Sequence, residues 1–137
     1  MKKKPLLLII EDDQILARTM RDKFVKVGFT VSIAEDGEAA LVLLKKTIPQ
    51  VVLLDLLLPK KNGFDILSDL KSNSIMKRIP VIITSNLDDE ASIDKGYSLG
   101  AGEYIVKSNL SLNYLVEKVI FLMNMSDHGQ EFLKENR

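Results

Sequence analysis

Five short apolar runs dominate the sequence: Leu6–Ile10, Thr30–Ala34, Val51–Leu54, Val81–Thr84 and Tyr104–Val106. Most are continuous rather than alternating, and several are rich in Val and Ile. A strand reads this way when both of its faces are covered, which is the condition of a parallel sheet. The segments between them carry helical spacing instead. Ile15, Leu16, Met20, Phe24 and Val27 form one stripe, Ala39, Ala40, Leu43 and Leu44 a second, Phe64, Ile66, Leu67 and Leu70 a third. Asp89–Leu99 is a weaker helix with Ile93 and Tyr97 four apart, and Leu112, Leu115, Val116, Val119, Ile120 and Met123 form the last stripe. Gly28 and Gly100 stand where helices should stop, Gly63 falls just before one begins, and Asp36 is placed to cap the second. Parallel strands need crossovers, and right-handed crossovers put helices on both faces. The expected fold is therefore a doubly wound α/β domain with a five-stranded parallel sheet.

Charge and composition narrow the function classes. Lysine plus arginine equals aspartate plus glutamate at 19 each, so the basic excess of a nucleic-acid binder is missing. No cysteine is present, which excludes disulfides and thiolate metal sites. The opening MKKKPLLLII has the lysines of a secretion signal, but its apolar run stops after Ile10 at three acids, too short for a signal core. No apolar stretch approaches the roughly 20 residues of a membrane span. The expectation is a soluble, cytoplasmic protein with no membrane partner.

Open α/β sheets bind ligands beyond the carboxyl ends of their strands. The first run ends in Glu11, Asp12 and Asp13, the second in Glu35 and Asp36, the third in Asp55, the fourth in Thr84 and Ser85, and the fifth in Lys107. Carboxylates crowded on one rim repel one another unless a cation joins them. All-oxygen donors select a hard cation, and Mg²⁺ commonly takes one or two carboxylates plus phosphate oxygens. Such a metal would let Asp55 act as a nucleophile toward phosphorus, with Lys107 and Thr84 meeting other phosphoryl oxygens. Each group alone has an ordinary explanation: acids favour helix starts, an aspartate after a strand favours a turn, and lysines are mostly solvated. Their conjunction on separate strand ends is what points to chemistry.

The strings LLLIIEDD, VVLLDLLLPKKNG, PVIITS and GAGEYIVKS, in this order and spacing, resemble the receiver domain of two-component response regulators, of the chemotaxis-regulator kind. The resemblance covers about Pro5 to Met125, so residues 1–125 are expected to form the receiver and 126–137 a polar tail or helix extension. It implies a flavodoxin-like sheet in the order 2-1-3-4-5. It implies that Asp55 is the phosphoacceptor, and that Glu11 and Asp12, with Asp55 and the backbone carbonyl of Leu57, hold Mg²⁺. Asp13 is not expected to be a direct ligand. Thr84 is implied as the switch hydroxyl, Lys107 as the family's lysine, and Tyr104 as the aromatic whose ring follows Thr84. Pro59 and Gly63 shape the loop after Asp55.

The sequence departs from the family in three places. Ser108 replaces a proline whose bond is typically cis, and a non-proline cis bond costs roughly 3–4 kcal/mol, which bears on how Lys107 is aimed. Leu58 stands where methionine is common. Leu57 and Asn86 occupy the positions that influence the hydrolytic water, and Leu57 offers that water no hydrogen bond, so slow autodephosphorylation is expected.

The resemblance further implies a phosphohistidine donor on a sensor histidine kinase or phosphotransfer domain, docking on the first helix (Gln14–Val27). Output is expected through the fourth helix, fifth strand and fifth helix, whose mixed charges (Asp94, Lys95, Glu103, Glu117, Lys118) suit a symmetric homodimer or, as the favoured reading, a solvated surface. His128, the only histidine, lies in the tail and is not expected to bind metal or donate phosphate. The competing reading is a pseudo-receiver, never phosphorylated and acting as an interaction module. An aspartyl phosphatase would carry a second acid where Leu57 stands, and a nucleotide carrier would need a glycine-rich loop after the first strand.

Overall fold

The computed structural model describes residues 3–136. Five strands, β1 (Leu6–Ile10), β2 (Thr30–Ala34), β3 (Val51–Asp55), β4 (Val81–Ser85) and β5 (Glu103–Val106), form one sheet in the order β2-β1-β3-β4-β5. Every pairing is parallel. All five carboxyl ends therefore emerge on one edge. The central strands β3 and β4 are buried along their whole lengths, which is why their runs are unbroken, whereas the edge strand β2 is only partly covered.

Alternation along each strand sorts the core into two layers. Leu7 and Ile9 of β1 join Met20 and Phe24 of α1 (Gln14–Lys26) and Leu115 and Val119 of α5 (Leu112–Met125) on one face. Leu8 and Ile10 join Ala40 and Leu44 of α2 (Gly37–Lys46) and Leu67 and Leu70 of α3 (Gly63–Ser72) on the other. Ile93 of α4 (Glu90–Ser98) packs against that second layer. The helices start on the caps their sequences supply: Asp13, Asp36, Asn62, Asp89 and Ser111 each accept hydrogen bonds from the first turn that follows. Gly28 and Gly100, at φ of 105° and 106°, take the left-handed conformation that ends α1 and α4.

The helical stripes are narrower than their spacing suggests. Ile15 is 79% exposed because it sits on the first turn of α1, at the rim, and Val27 and Ile120 are also exposed. In α4 the buried residue is Gly96, not Tyr97. After Met125 the chain takes one extended step at Ser126 and enters α6 (Asp127–Glu135). This helix turns back on the body through buried Phe132 and an Arg78–Glu131 ion pair at 3.0 Å. The side chain of His128, and so the expectation about it, lies outside the described residues. Among the described residues no helix is long and apolar enough to cross a membrane.

Candidate functional site

The site is assembled by strand ends. The Glu11 backbone N–H donates to the Ala34 carbonyl at 2.9 Å, extending the β1–β2 ladder one residue and fixing the Glu11 side chain beneath the rim, 1% exposed. Asp12 stands at the surface. Asp13 does not join them; its carboxylate caps α1, and its backbone N–H donates to Glu11 Oε2 at 3.2 Å. Asp55 closes β3, 3% exposed, and receives the Leu57 N–H on Oδ1 at 3.3 Å. Glu11, Asp12 and Asp55 each present a carboxylate oxygen within 4.8 Å of the others. Thr84 is paired with Asp55 across the β3–β4 ladder and is buried.

Lys107 completes the cluster. Its Nζ lies 2.7 Å from Glu11 Oε1 and 3.3 Å from Asp55 Oδ2. Burial alone would pull the ammonium down, but contact with Glu11 and the charge of Asp55 outweigh it and hold its pKa above the ordinary lysine value. Glu11 moves the other way for a carboxylate. Burial raises it to about 7, with Asp55 adding to the rise and Lys107 and the Asp13 N–H opposing it. Glu11 Oε1 is buried with no aligned hydrogen-bond donor, so Lys107 meets it as a point charge. A buried, under-satisfied oxygen beside two other carboxylates fits a divalent hard cation, and the donor set is all oxygen.

Ser108 does not prevent this reach. Every described peptide bond is trans, and the chain leaves β5 through a short 3-10 turn, Lys107–Asn109, that turns Lys107 onto the carboxylates. Tyr104 is enclosed, 8% exposed, with its hydroxyl donating to the Leu87 carbonyl at 2.7 Å. Leu57 leaves its side chain 55% exposed.

Two contacts behind the loop after Asp55 go beyond the sequence reading, which named Gly63 as shaping that loop and did not name Lys60. Gly63 packs on the backbone of the acceptor residue itself: a Cβ there would lie 2.4 Å from the Asp55 carbonyl oxygen and 2.6 Å from Leu56 Cα. Lys60, at φ of 67°, pins the same loop by ion pairs to Asp36 at 3.5 Å and Glu38 at 3.2 Å. The string PKKNG marks a turn, but nothing local in it reveals either contact.

Fold and rim together define a flavodoxin-like domain with an acidic cluster able to chelate a metal at the carboxyl edge of its sheet. The sequence profile of the response regulator receiver domain matches residues 7–120, and the chain belongs to that family. It is 35% identical over 104 residues to a probable transcriptional regulator, ycf27, of Porphyridium aerugineum, covering 76% of this chain and 42% of that protein. The chain thus spans less than half of that relative's length. The receiver domain of the Francisella response regulator 1452 superposes with a TM-score of 0.80 at 30% identity, covering 86% of this chain and 95% of that one. The phosphorylated cyanobacterial phytochrome response regulator RcpA superposes with a TM-score of 0.75 at 30% identity, covering 89% and 93%.

Proposed function

We propose that the chain is the phosphoacceptor of a two-component phosphorelay, with Asp55 as the acceptor. The observation that carries this reading is the convergence of Glu11, Asp12 and Asp55 within 4.8 Å beside Lys107. The donor is phosphohistidine on a sensor histidine kinase or phosphotransfer domain. An Asp55 carboxylate oxygen attacks phosphorus, the phosphorus–nitrogen bond breaks, and its electron pair leaves with the imidazole, which takes up a proton. The product is an acyl phosphate on Asp55. Mg²⁺, held by Glu11, Asp12, Asp55 and the Leu57 carbonyl, would neutralise charge on the phosphoryl oxygens.

The remaining roles belong to the chain's own side chains. Lys107 exchanges its contact with Asp55 Oδ2 for a phosphoryl oxygen. The Thr84 hydroxyl donates to another, and Tyr104 follows Thr84. The domain catalyses only its own phosphorylation and dephosphorylation. It signals in the cytoplasm through the α4–β5–α5 face, where a homodimer would form, with no nucleic-acid contact by this domain. Residues 1–125 form this unit, and 126–137 are appended to it. The phosphorylated state in which the similar RcpA was solved supports the reading.

The test is incubation with acetyl phosphate, with and without Mg²⁺, followed by intact mass. A Mg²⁺-dependent gain of one phosphoryl group, absent in Asp55→Asn, is the expected result. No gain on folded protein would replace this reading with the pseudo-receiver. With Leu57 offering no hydrogen bond to an attacking water, the acyl phosphate should persist for minutes or longer after donor removal. A half-life of seconds would contradict that expectation.

A further inference from the structure

Among the described residues Lys60 is the one non-glycine residue with a positive φ, 67°. The Lys61 N–H donates to the Pro59 carbonyl at 2.7 Å, which closes a three-residue turn around Lys60. A turn of this span with a positive φ at its centre is rare and strained. Glycine would take that conformation at little cost, and lysine does not. Strain of this kind persists only where the surroundings hold it, and it gathers at sites that bind or react.

The Lys60 side chain supplies a hold. Its Nζ lies 3.2 Å from Glu38 Oε2 and 3.5 Å from Asp36 Oδ2. Contact with Glu38, then the charge of Asp36, raises the lysine's pKa, so the ammonium stays charged through the neutral range. Asp36 is itself fixed, because it caps α2 by accepting the Ala39 N–H at 2.8 Å. The next residue, Lys61, reaches the other way, to Asp69 of α3. In the sheet β1 lies between β2 and β3. The Lys60 tether therefore joins the loop after β2 to the loop after β3, on either side of the strand end that carries Glu11 and Asp12. Leu57 stands in the tethered loop, between Asp55 and Lys60 in the chain. Lys60 and Glu38 are exposed, so their pairing adds little to the stability of the whole domain. Its effect is local.

We infer that Lys60 is a positioning residue for the metal site: its ion pairs to the start of α2 hold the strained turn, and with it the loop that carries the Leu57 carbonyl, ready for the cation. The inference rests on the proposed metal site, with Leu57 as one ligand. It predicts an effect opposite in sign to that of charge alone. Removing a positive charge from the rim favours a cation there. Removing the tether frees a loop that must be ordered again when metal binds, and that weakens binding.

Isothermal titration of the metal-free full chain with MgCl₂ tests this, together with hydrogen exchange of the Leu57 and Lys61 amides, both hydrogen-bonded within the tethered loop. Lys60→Gly relaxes the turn and removes both ion pairs. It should bind Mg²⁺ about threefold more weakly than the wild type, with a urea midpoint close to the wild-type value. Its Leu57 and Lys61 amides should exchange faster in the absence of metal. Lys60→Arg, which keeps the cation, should match the wild type in both measurements. Equal or tighter Mg²⁺ binding by Lys60→Gly would overturn the inference, as would unchanged amide exchange or a Lys60→Arg variant as weak as Lys60→Gly. A wild type that takes up no Mg²⁺ would instead refute the metal site, and this role for Lys60 with it.

Discussion

Gly63→Ala should destabilise the protein by about 3 kcal/mol or more, among the largest effects of any single methyl group in this chain. The added Cβ would fall 2.4 Å from the Asp55 carbonyl oxygen and 2.6 Å from Leu56 Cα. Both are backbone atoms, so no side-chain rotation relieves the clash. Either α3 lifts from the sheet or the end of β3 bends, and both disturb Asp55. The Gly63 N–H, which donates to the Leu56 carbonyl at 2.9 Å, moves with them. Gly28 provides the contrast. No atom lies within 4 Å of its would-be Cβ, and only its φ of 105° opposes a side chain, so Gly28→Ala should cost only about 1 kcal/mol. Urea midpoints of the two variants beside the wild type measure both. A Gly63→Ala loss no greater than that of Gly28→Ala would mean that the loop yields.

Glu11→Gln should make the metal-free protein more stable at pH 8 by about 2 kcal/mol, while abolishing its stabilisation by Mg²⁺. The folded protein holds the Glu11 proton up to about 7, whereas the carboxyl ordinarily releases it near 4.5. Between those values the folded state binds the extra proton, so stability falls as pH rises through that window. Glutamine has no proton to lose, and its variant should show no such decline. On the proposed metal site, Mg²⁺ should reverse the trend in the wild type, because a cation that binds the ionised carboxylates stabilises the state it binds. Denaturation midpoints at pH 5 and pH 8, in chelator and in Mg²⁺, give the four values needed. A metal-free wild type that gains stability on going to pH 8 would refute this account of Glu11.

How far the sequence carries differs from element to element. The β3 and β4 runs were legible to within one residue, because a strand buried on both faces has no room for polar interruptions. The rim groups were legible in two steps: parallel strands end on one edge, which puts Glu11, Asp55, Thr84 and Lys107 on one rim, and the strand order implied by the family resemblance sets β1, β3 and β4 side by side. What spacing cannot convey is contact between segments distant in sequence. The approach of Gly63 to Asp55, and of Gly96 to Tyr104, exists only in the packed molecule. Helical spacing also misjudged Ile15 and Tyr97, since it marks a face without saying which turns overhang the sheet. Ser108 made the aim of Lys107 uncertain, and a 3-10 turn supplies the direction that a proline usually gives.

The two ends of the described chain meet. The Lys3 backbone N–H donates to Asn136 Oδ1 at 2.6 Å, because α6 returns to the edge from which β1 departs. A segment whose described ends lie this close together is nearly a closed ring. Such a ring can be opened elsewhere, or spliced into a surface loop of a host protein, without stretching either partner. A donor and acceptor dye placed near residues 3 and 136 would sit close together in the native state and separate on unfolding. One optical signal would then follow the integrity of the whole domain, far from the carboxylates and untouched by their chemistry.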